Sequence, residues 1–182
     1  MTIESTEFKG LLVLEPTVYT DARGSFMESF NEARFRVETG LNVTFVQDNE
    51  STSIQNTLRG LHFQVPPKAQ AKLVRVAQGA AWDVVVDLRV TQPTFGKWYK
   101  ILLTSENRKQ LFIPEGFAHG FWAVEEKTVF SYKCTNYYSG ECDRSLRWND
   151  ATLGIDWGVD QPIISDKDGN AMLFSEFKSP FF

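Results

Sequence analysis

The sequence predicts an all-β protein, a double-sheet jelly roll built from many short strands. Eight runs of four to eight residues are rich in Val, Ile, Phe, Tyr and Trp. Clusters of Gly, Pro, Asn or Ser separate them at the spacing of a sandwich or barrel. Helical patterns are few. So many short strands need closed or covered edges, which favours the jelly roll among all-β architectures.

The predicted elements follow one another without a repeat, a low-complexity segment or a linker. The strands are expected at residues 11–14, 44–47, 72–77, 82–88, 98–103, 110–113, 120–124 and 128–135. Three segments have helical features: residues 31–38 begin with a capping Asn and end before Gly40, residues 105–109 fit a single turn, and a further helix starts at Ser165. We expect one domain over residues 1–182, with a C-terminal appendage at 160–182.

Length, charge and cysteine content limit the class of protein. A chain of 182 residues is long enough to bury a sizeable core. Its net charge of −4 argues against a surface that coats nucleic acid, so no nucleic-acid partner is expected. Cys134 and Cys142 are too few for a disulfide framework, and no segment resembles a signal peptide or a membrane span. We therefore expect a cytoplasmic protein without a membrane partner.

Alternation along the strands indicates a cavity inside the barrel. Asp83 and Asp87 share the strand face opposite a row of mainly aliphatic side chains. Lys72 points to the same face as two valines, and Tyr132 points to the same face as a neighbouring phenylalanine. Mixed polar and aromatic positions inside a barrel are typical of a ligand cavity.

The chain contains two histidines, and both lie in strand-like runs flanked by glycine. Histidine changes its charge near neutral pH, so His62 and His119 suit a cleft that moves protons. Two imidazoles are too few for most metal sites. A facial metal triad would have to recruit Asp83 or Glu115, so no metal is expected.

The segment around His119 resembles the second histidine motif of cupin barrels. Its spacing is Pro114-x-Gly116-x-x-His119, in which Pro and Gly form the turn that carries the histidine into the barrel mouth. Metal-binding cupins add a His-x-His pair and a Glu in their first motif. This chain has His62-Phe63-Gln64 there instead, with one imidazole and no acid.

More specific motifs run in order almost from end to end of the chain. They are Asp21-Ala22-Arg23-Gly24-x-Phe26-x-Glu28-Ser29, Phe45-Val46-Gln47-Asp48-Asn49, Leu58-Arg59-Gly60-Leu61-His62-Phe63-Gln64, Ala71-Lys72-Leu73-Val74-Arg75, Asp83-Val84-Val85-Val86-Asp87, Pro93-Thr94-Phe95-Gly96, Leu111-x-Ile113-Pro114-Glu115-Gly116-Phe117-Ala118-His119-Gly120-Phe121, Tyr132-Lys133-x-Thr135-x-Tyr137-Tyr138 and Gly154-Ile155-Asp156-Trp157. Together they resemble the dTDP-4-dehydrorhamnose 3,5-epimerase family, a cofactor-free branch of the cupins. The resemblance implies a cupin-type double-stranded β-helix and no cofactor.

The resemblance also implies a reaction. The substrate would be a thymidine-diphosphate 4-keto-6-deoxyhexose, dTDP-4-dehydro-6-deoxy-D-glucose, epimerised at C3 and C5 to dTDP-4-dehydro-L-rhamnose. The C4 ketone acidifies both C–H bonds, so inversion needs a base, an acid on the opposite face and a group that stabilises the enolate. By resemblance His62 is the base and Asp168 orients it. Tyr132 is the proton donor, and Lys72 stabilises the enolate oxygen.

Substrate-binding residues are implied by the same resemblance. Arg23 and Arg59 offer planar guanidinium groups to the diphosphate, and Tyr138 stacks on the nucleotide base. The other implied contacts are Glu28, Gln47, Asp48, Asn49, Lys72, His119, Asp143 and Lys167. The family commonly has Glu at position 143, so the side chain here is shorter by one methylene.

The family forms homodimers in which the N-terminal strands of one subunit reach the site of the other. The resemblance therefore implies a homodimer with exchanged N-terminal strands. It also raises a geometric problem, because strict alternation places Arg59 and His62 on opposite faces of one strand. A bulge or twist at Gly60 would bring both to the same face.

Each residue assignment has a structural alternative on local sequence. His62 fits a hydrogen-bonded core histidine, and Asp168 fits a helix cap after Ser165. Tyr132 fits a cavity-wall aromatic, and Lys72 a charge at a strand edge. His119 could pair with Asp83, either to serve the ligand or as a purely structural pair.

Two further functions stay open beside the 3,5-epimerase. The first is an epimerase of the same family that acts at C3 or C5 alone, or on another nucleotide 4-keto sugar. The second is a sugar-nucleotide-binding cupin without turnover. The presence of Lys72, Tyr132 and Asp168 together argues against a pure binding protein, which has no use for an acid and a base on opposing faces.

Overall fold

The computed structural model describes residues 1–182 and contains thirteen strands, two short α-helices and one 3₁₀ turn. The helices are α1 (Glu32–Thr39) and α2 (Asp166–Gly169), and the 3₁₀ turn is Phe174–Glu176. No helix is both long and apolar enough to cross a membrane. The strands are β1 (Thr2–Ser5), β2 (Leu12–Glu15), β3 (Val18–Asp21), β4 (Gly24–Met27), β5 (Gln47–Ser53), β6 (Leu58–Gln64), β7 (Lys72–Gln78), β8 (Ala80–Asp87), β9 (Trp98–Thr104), β10 (Gln110–Ile113), β11 (Phe117–Ala123), β12 (Thr128–Cys134) and β13 (Asp143–Ser145).

Two large antiparallel sheets pack face to face and form the barrel. One has six strands in the order β1-β2-β10-β7-β12-β5, and the other has five in the order β13-β6-β11-β8-β9. Strands β3 and β4 form a separate hairpin that joins neither sheet. The predicted double-sheet jelly roll is confirmed.

Three apolar clusters hold the sheets and their coverings together. The largest lies between the two sheets and contains Val74 and Phe130 from one sheet and Val85 from the other. A second covers the outer face of the five-stranded sheet, where C-terminal residues such as Phe181 pack. The third joins α1 to the outer face of the six-stranded sheet through Phe35. The inward faces of β7 and β12 are therefore those that alternation predicts.

One predicted strand has the wrong bounds. Residues 44–46 are irregular, and the strand begins only at Gln47, where β5 pairs along its whole length with β12. The single turn expected at residues 105–109 is present at residues 105–107 and does not extend into a helix. Side chains explain the turn, because Asn107 Oδ1 accepts from the backbone N of Thr104 and of Lys109, both at 3.0 Å. Such local side-chain bonds compete with helical ones.

The predicted helix ends are confirmed for α1. The Asn31 side chain accepts from the backbone N of Arg34 at 3.0 Å, and Gly40 ends the helix in the left-handed region at φ 71°. The sequence pattern does not predict β1, β3, β4 or β13, each of only three or four residues.

A bulge at Gly60 is confirmed and resolves the problem of the two side chains on β6. His62 pairs with His119, whereas Arg59 pairs with Phe121, so β6 holds one residue more than β11 over this stretch. Gly60 has φ 131°, and a Cβ there would lie 2.5 Å from the Cα of Gly120. The extra residue turns Arg59 and His62 to the same face of the strand.

Gly60→Ala should lower the free energy of unfolding by about 2–4 kcal/mol, because the methyl group meets backbone and the residue must keep a φ that only glycine adopts readily. Gly24→Ala is the matched control, since Gly24 has a similar φ of 126° but no atom within 4 Å of the added Cβ. It should cost about 1 kcal/mol, the cost of the φ alone. Urea unfolding of both variants measures the difference, and equal losses would show that the close approach to Gly120 is unimportant.

Candidate active site

A mainly polar cavity of about 390 Å³ lies between strands of both sheets and the C-terminal segment. Eight of the residues predicted for the site line it, together with three others. The lining residues are Gln47, Asn49, His62, Phe63, Gln64, Gln70, Lys72, Tyr132, Tyr138, Asp143 and Lys167.

The first wall of the cavity carries a histidine–aspartate pair. His62 on β6 and Asp168 on α2 are 106 residues apart in sequence, and His62 Nε2 lies 2.6 Å from Asp168 Oδ1. The other carboxylate oxygen accepts from the backbone N of Gly60 at 3.4 Å. Ser165 caps the helix by accepting from the backbone N of Asp168, so one residue is both a helix position and the partner of the imidazole.

Asp168 is ionised when the pair forms. Burial alone would raise the pKa of this carboxyl, but hydrogen bonds from His62 and Gly60 outweigh burial and hold the pKa below its ordinary value. The carboxylate therefore fixes the hydrogen on His62 Nε2. Nδ1 of the same ring has no hydrogen-bond partner within the chain, which leaves it free to accept a proton.

The opposite wall carries the side-chain amine of a lysine and the phenol of a tyrosine. Lys72 on β7 and Tyr132 on β12 belong to the six-stranded sheet, whereas His62 belongs to the five-stranded one. Lys72 Nζ lies 5.8 Å from the centre of the Tyr132 ring. Burial lowers the pKa of Lys72 and raises that of Tyr132. The phenol thus keeps its proton at neutral pH and can donate it.

A second histidine–aspartate pair lies beside the first. His119 is the partner of His62 in the register of β6 and β11, and its Nε2 lies 2.7 Å from Asp83 Oδ2. Both side chains are buried. Burial raises the pKa of Asp83 and lowers that of His119, so each group is pushed towards its neutral form. The pairing that the sequence left open is present.

Polar contacts connect the residues at the rim of the cavity, which are Gln47, Asn49, Tyr138, Asp143 and Lys167. Tyr138 donates its backbone N–H to Gln47 Oε1 at 2.9 Å, and Gln47 donates to Asn49 Oδ1 at 3.0 Å. The Asp143 carboxylate contacts the Lys167 ammonium and accepts from the Tyr138 hydroxyl at 3.4 Å. Asp143 therefore reaches the rim even though it is shorter than Glu.

Three of the predicted binding residues do not reach the cavity within one chain. Arg23 lies on the separate hairpin and pairs with Asp21 at 2.6 Å. Glu28 pairs with Arg34 at 3.2 Å. Asp48 lies on the face of β5 opposite the cavity side chains and contacts Lys133 at 2.9 Å.

Two more predicted binding residues, Arg59 and His119, lie near the cavity without lining it. Arg59 Nε donates to Ser53 Oγ at 3.1 Å, and the charge of Arg59 is close enough to act on Tyr132. No group of three or more His, Cys, Asp and Glu side chains is placed to hold a metal ion.

Gln64 is a site residue that the sequence pattern did not single out. Its amide nitrogen donates to the carbonyls of Lys68 and Tyr137, and its Oε1 accepts from the backbone N of Ser139 at 2.6 Å. These bonds fix the loop that carries Tyr138. The alternation that starts at His62 places Gln64 on the same face, so the signal was present in the sequence.

A cupin-type jelly roll whose cavity has a histidine–carboxylate pair on one wall and a phenol on the opposite wall fits an isomerase of the cupin class. Residues 5–176 match the dTDP-4-dehydrorhamnose 3,5-epimerase family. An enzyme of that name from Methanothermobacter thermautotrophicus is 54% identical over 168 residues, which cover 91% of this chain and 90% of the relative. The chain belongs to the dTDP-4-dehydrorhamnose 3,5-epimerase family.

Solved structures show the same fold. The 3,5-epimerase from Legionella pneumophila Philadelphia 1, in complex with dTDP-4-keto-L-rhamnose, has a TM-score of 0.95 and 42% identity and covers 100% of this chain and 98% of its own. A 3'-monoepimerase from Streptomyces bikiniensis, in complex with dTDP-quinovose, has a TM-score of 0.87 and 32% identity, covering 93% of this chain and 86% of its own.

Asp168→Asn should lower the free energy of unfolding at neutral pH by about 1.5–3 kcal/mol, because a buried charge-assisted hydrogen bond is lost. The folded-state pKa of Asp168 lies below its ordinary value of 3.8. The stabilisation that the ionised carboxylate gives the folded state is therefore complete above pH 3.8 and is lost as the pH falls through the folded-state pKa. Urea unfolding between pH 7 and about pH 2.5 should show the two proteins converging only below 3.8. Asp166→Asn, at an exposed position of the same helix, is the control, and convergence already at pH 6 would contradict the assignment.

Proposed function

We propose that the protein epimerises C3 and C5 of dTDP-4-dehydro-6-deoxy-D-glucose to give dTDP-4-dehydro-L-rhamnose, without a cofactor. The proposal rests on one observation, which is that two different sets of functional side chains lie on opposite walls of the cavity. His62 and its carboxylate partner lie on one wall, and Tyr132 and Lys72 lie on the wall of the opposite sheet. The names of the relatives and the sugar nucleotide in the Legionella structure support the same substrate.

In the proposed reaction, His62 Nδ1 takes the proton from the carbon next to the C4 ketone. The electron pair of the broken C–H bond forms a double bond between that carbon and C4, and the π pair of the C4 carbonyl moves onto its oxygen, so the ketone becomes an enolate. The Asp168 carboxylate stabilises the imidazolium that forms, as in other His–Asp pairs. This assignment uses the one ring nitrogen that has no partner within the chain.

Lys72 and Tyr132 complete the step. The Lys72 ammonium stabilises the negative charge on the C4 oxygen, and the Tyr132 hydroxyl donates a proton to the opposite face of the carbon. The ketone re-forms with inverted configuration. Solvent then returns a proton to the tyrosinate and takes one from the imidazolium, so the enzyme ends as it began.

The substrate's nucleotide is proposed to bind at the rim. Tyr138 stacks on the base, while Lys167, Gln47, Asn49 and Asp143 lie around it. His119, held by Asp83, is proposed to contact the sugar deeper in the cavity. The guanidinium of Arg59 is proposed to bind the diphosphate. An aromatic face together with a cation supplies both kinds of contact that a nucleoside diphosphate offers.

The remaining binding residues are proposed to act across a homodimer. The β3–β4 hairpin exposes 65% of Tyr19 and 68% of Phe26, and the Arg23 side chain is 90% exposed although it pairs with Asp21 of the same hairpin. Exposed apolar side chains on an isolated hairpin fit a surface that a second copy covers. We infer that this hairpin carries Arg23 and Glu28 to the cavity of the partner, and that Asp48 lies at the same interface.

Residues 1–182 are proposed to act as one domain. The C-terminal residues pack on the five-stranded sheet and carry Asp168, so they complete the cavity of their own chain.

We also propose a cytoplasmic location, supported by Cys134 and Cys142, which are both buried and both free thiols.

Proton exchange in deuterated water, followed by NMR, tests the reaction. The wild type should incorporate deuterium at C3 and C5 of the substrate. His62→Asn should slow incorporation by about 10²–10⁴-fold, since base catalysis supplies that factor. Tyr132→Phe should still exchange at a carbon but lose inversion, because the ring remains and the donor is gone.

Each outcome of that experiment separates the candidate functions. Exchange at one carbon only would favour the single-site epimerase, a candidate supported by the likeness to the 3'-monoepimerase. Tight binding of dTDP without exchange would leave a sugar-nucleotide-binding cupin. Near wild-type exchange in His62→Asn would remove His62 from the role of base.

Mixing two inactive variants tests the exchanged hairpin. Arg23→Ala and His62→Asn subunits should together recover about one quarter of the wild-type sites, because half of the dimers are mixed and each holds one intact site. His62→Asn mixed with Asp168→Asn is the control. Both changes lie in the cavity of one chain, so neither site of that mixed dimer is intact. Absence of recovery after verified subunit exchange would show that each chain builds its site alone.

A further inference from the structure

A row of polar side chains crosses the outer face of the six-stranded sheet. Arg75 on β7 and Glu50 on β5 are both in register with Ser131 on β12, the strand that lies between them. Residues in register on antiparallel strands point to the same face of the sheet. Arg75 is also in register with Gln110, which pairs with Leu14 of the apolar cluster under α1. The row therefore lies on the face that points away from the cavity.

The two charges of this row have no partner within the chain. Neither Arg75 nor Glu50 takes part in an ion pair or a side-chain hydrogen bond, whereas Lys133 and Asp48 on the same face are paired at 2.9 Å. Neighbouring strands lie about 4.8 Å apart, so the backbones of the two unpaired residues are separated by about 10 Å. A half-buried guanidinium and an exposed carboxylate thus lie one strand to either side of Ser131.

This spacing of opposite charges is self-complementary. In a symmetric dimer the same surface serves both subunits, so a contact between two different residues occurs twice. A two-fold axis that runs parallel to β12 and passes over Ser131 exchanges the two sides of the row. It places Arg75 opposite Glu50 of the partner subunit, and Glu50 opposite Arg75 of the partner subunit. An axis at right angles to the strands would instead bring like charges together.

The order of the strands gives a second reason for the same axis. The sheet runs β1-β2-β10-β7-β12-β5, so rotation about β12 places β10 and β2 of the second copy beyond the free edge of β5. The β3–β4 hairpin follows β2 in the chain, and the rotation carries it to the strand whose Gln47 and Asn49 line the cavity. A concavity of about 170 Å³ on the outer face contains Arg75 and Ser131 and reaches Ser29, just after the hairpin.

We propose that the outer face of β7, β12 and β5 is the surface through which two copies of this chain associate. Two Arg75–Glu50 pairs between the subunits fix the axis over Ser131. Lys133 comes near its own copy in this arrangement, and Asp48 of the same chain balances its charge there. The inference rests on the homodimer of the proposed function and deepens it, because it identifies the surface that brings each hairpin to the other cavity.

Charge reversal at either residue tests this interface by sedimentation. Arg75→Glu and Glu50→Arg should each raise the Kd of the dimer by at least about 10²-fold, because each brings like charges together at both symmetric contacts. Lys97→Glu is the matched control, since it makes the same change of net charge as Arg75→Glu at an exposed position just before β9. It should change the Kd by no more than about two-fold. An unchanged Kd in either reversal overturns the interface.

Mixing the two reversed variants tests whether the pairs form between chains. In a mixed dimer one contact joins the two changed residues and the other joins the two native ones, so both contacts again have opposite charges. The mixture should recover a Kd within about ten-fold of the wild type, with mixed dimers as the main species by native mass spectrometry. Recovery also shows that both variants fold. Absence of mixed dimers overturns the pairing.

The wild type separates a failure of this inference from a failure of the proposed reaction. A dimer that responds to both reversals as expected, but shows no proton exchange at C3 or C5 of the substrate, contradicts the reaction alone. A wild type that sediments as a monomer and still exchanges both protons overturns the interface and leaves the reaction standing.

Discussion

The close approach of β6 and β11 at two glycines is the constraint on which the site depends. A Cβ at Gly60 would meet the Cα of Gly120, and a Cβ at Gly120 would lie 2.7 Å from the carbonyl oxygen of Arg59. Only two residues without side chains permit this contact. The extra residue that it accommodates turns His62 towards His119 and inward, and the freed backbone N–H of Gly60 is the one that reaches Asp168.

In the proposed reaction, the two sheets supply groups with different roles. Inversion at carbon requires a base and an acid on opposite sides of one atom, and a barrel of two facing sheets supplies two opposite walls. Burial keeps the Tyr132 phenol protonated, while hydrogen bonding keeps Asp168 ionised in spite of burial.

Much of this arrangement could be predicted from the sequence, because period-two alternation is a local property. Alternation alone is enough to place Lys72 and Tyr132 on the inward faces of their strands. Strand β5 could not be found this way, because its seven residues are polar and its pairing with β12 makes it a strand. Local pattern does not predict the position of Arg23 either, because the separation of the β3–β4 hairpin from its own barrel leaves no periodic signal, and only the family resemblance implied exchanged N-terminal strands.

The C-terminal packing has a consequence for biosynthesis. Phe177 and Phe181 lie against Phe63, the neighbour of His62, and Asp168 precedes both of them in the chain. A ribosome delivers the chain from its N-terminus, so the barrel can fold while this segment is still being made. The imidazole of His62 acquires its carboxylate partner only after residue 168 has been made. A barrel that folds before that point would hold the imidazole without the carboxylate that orients it.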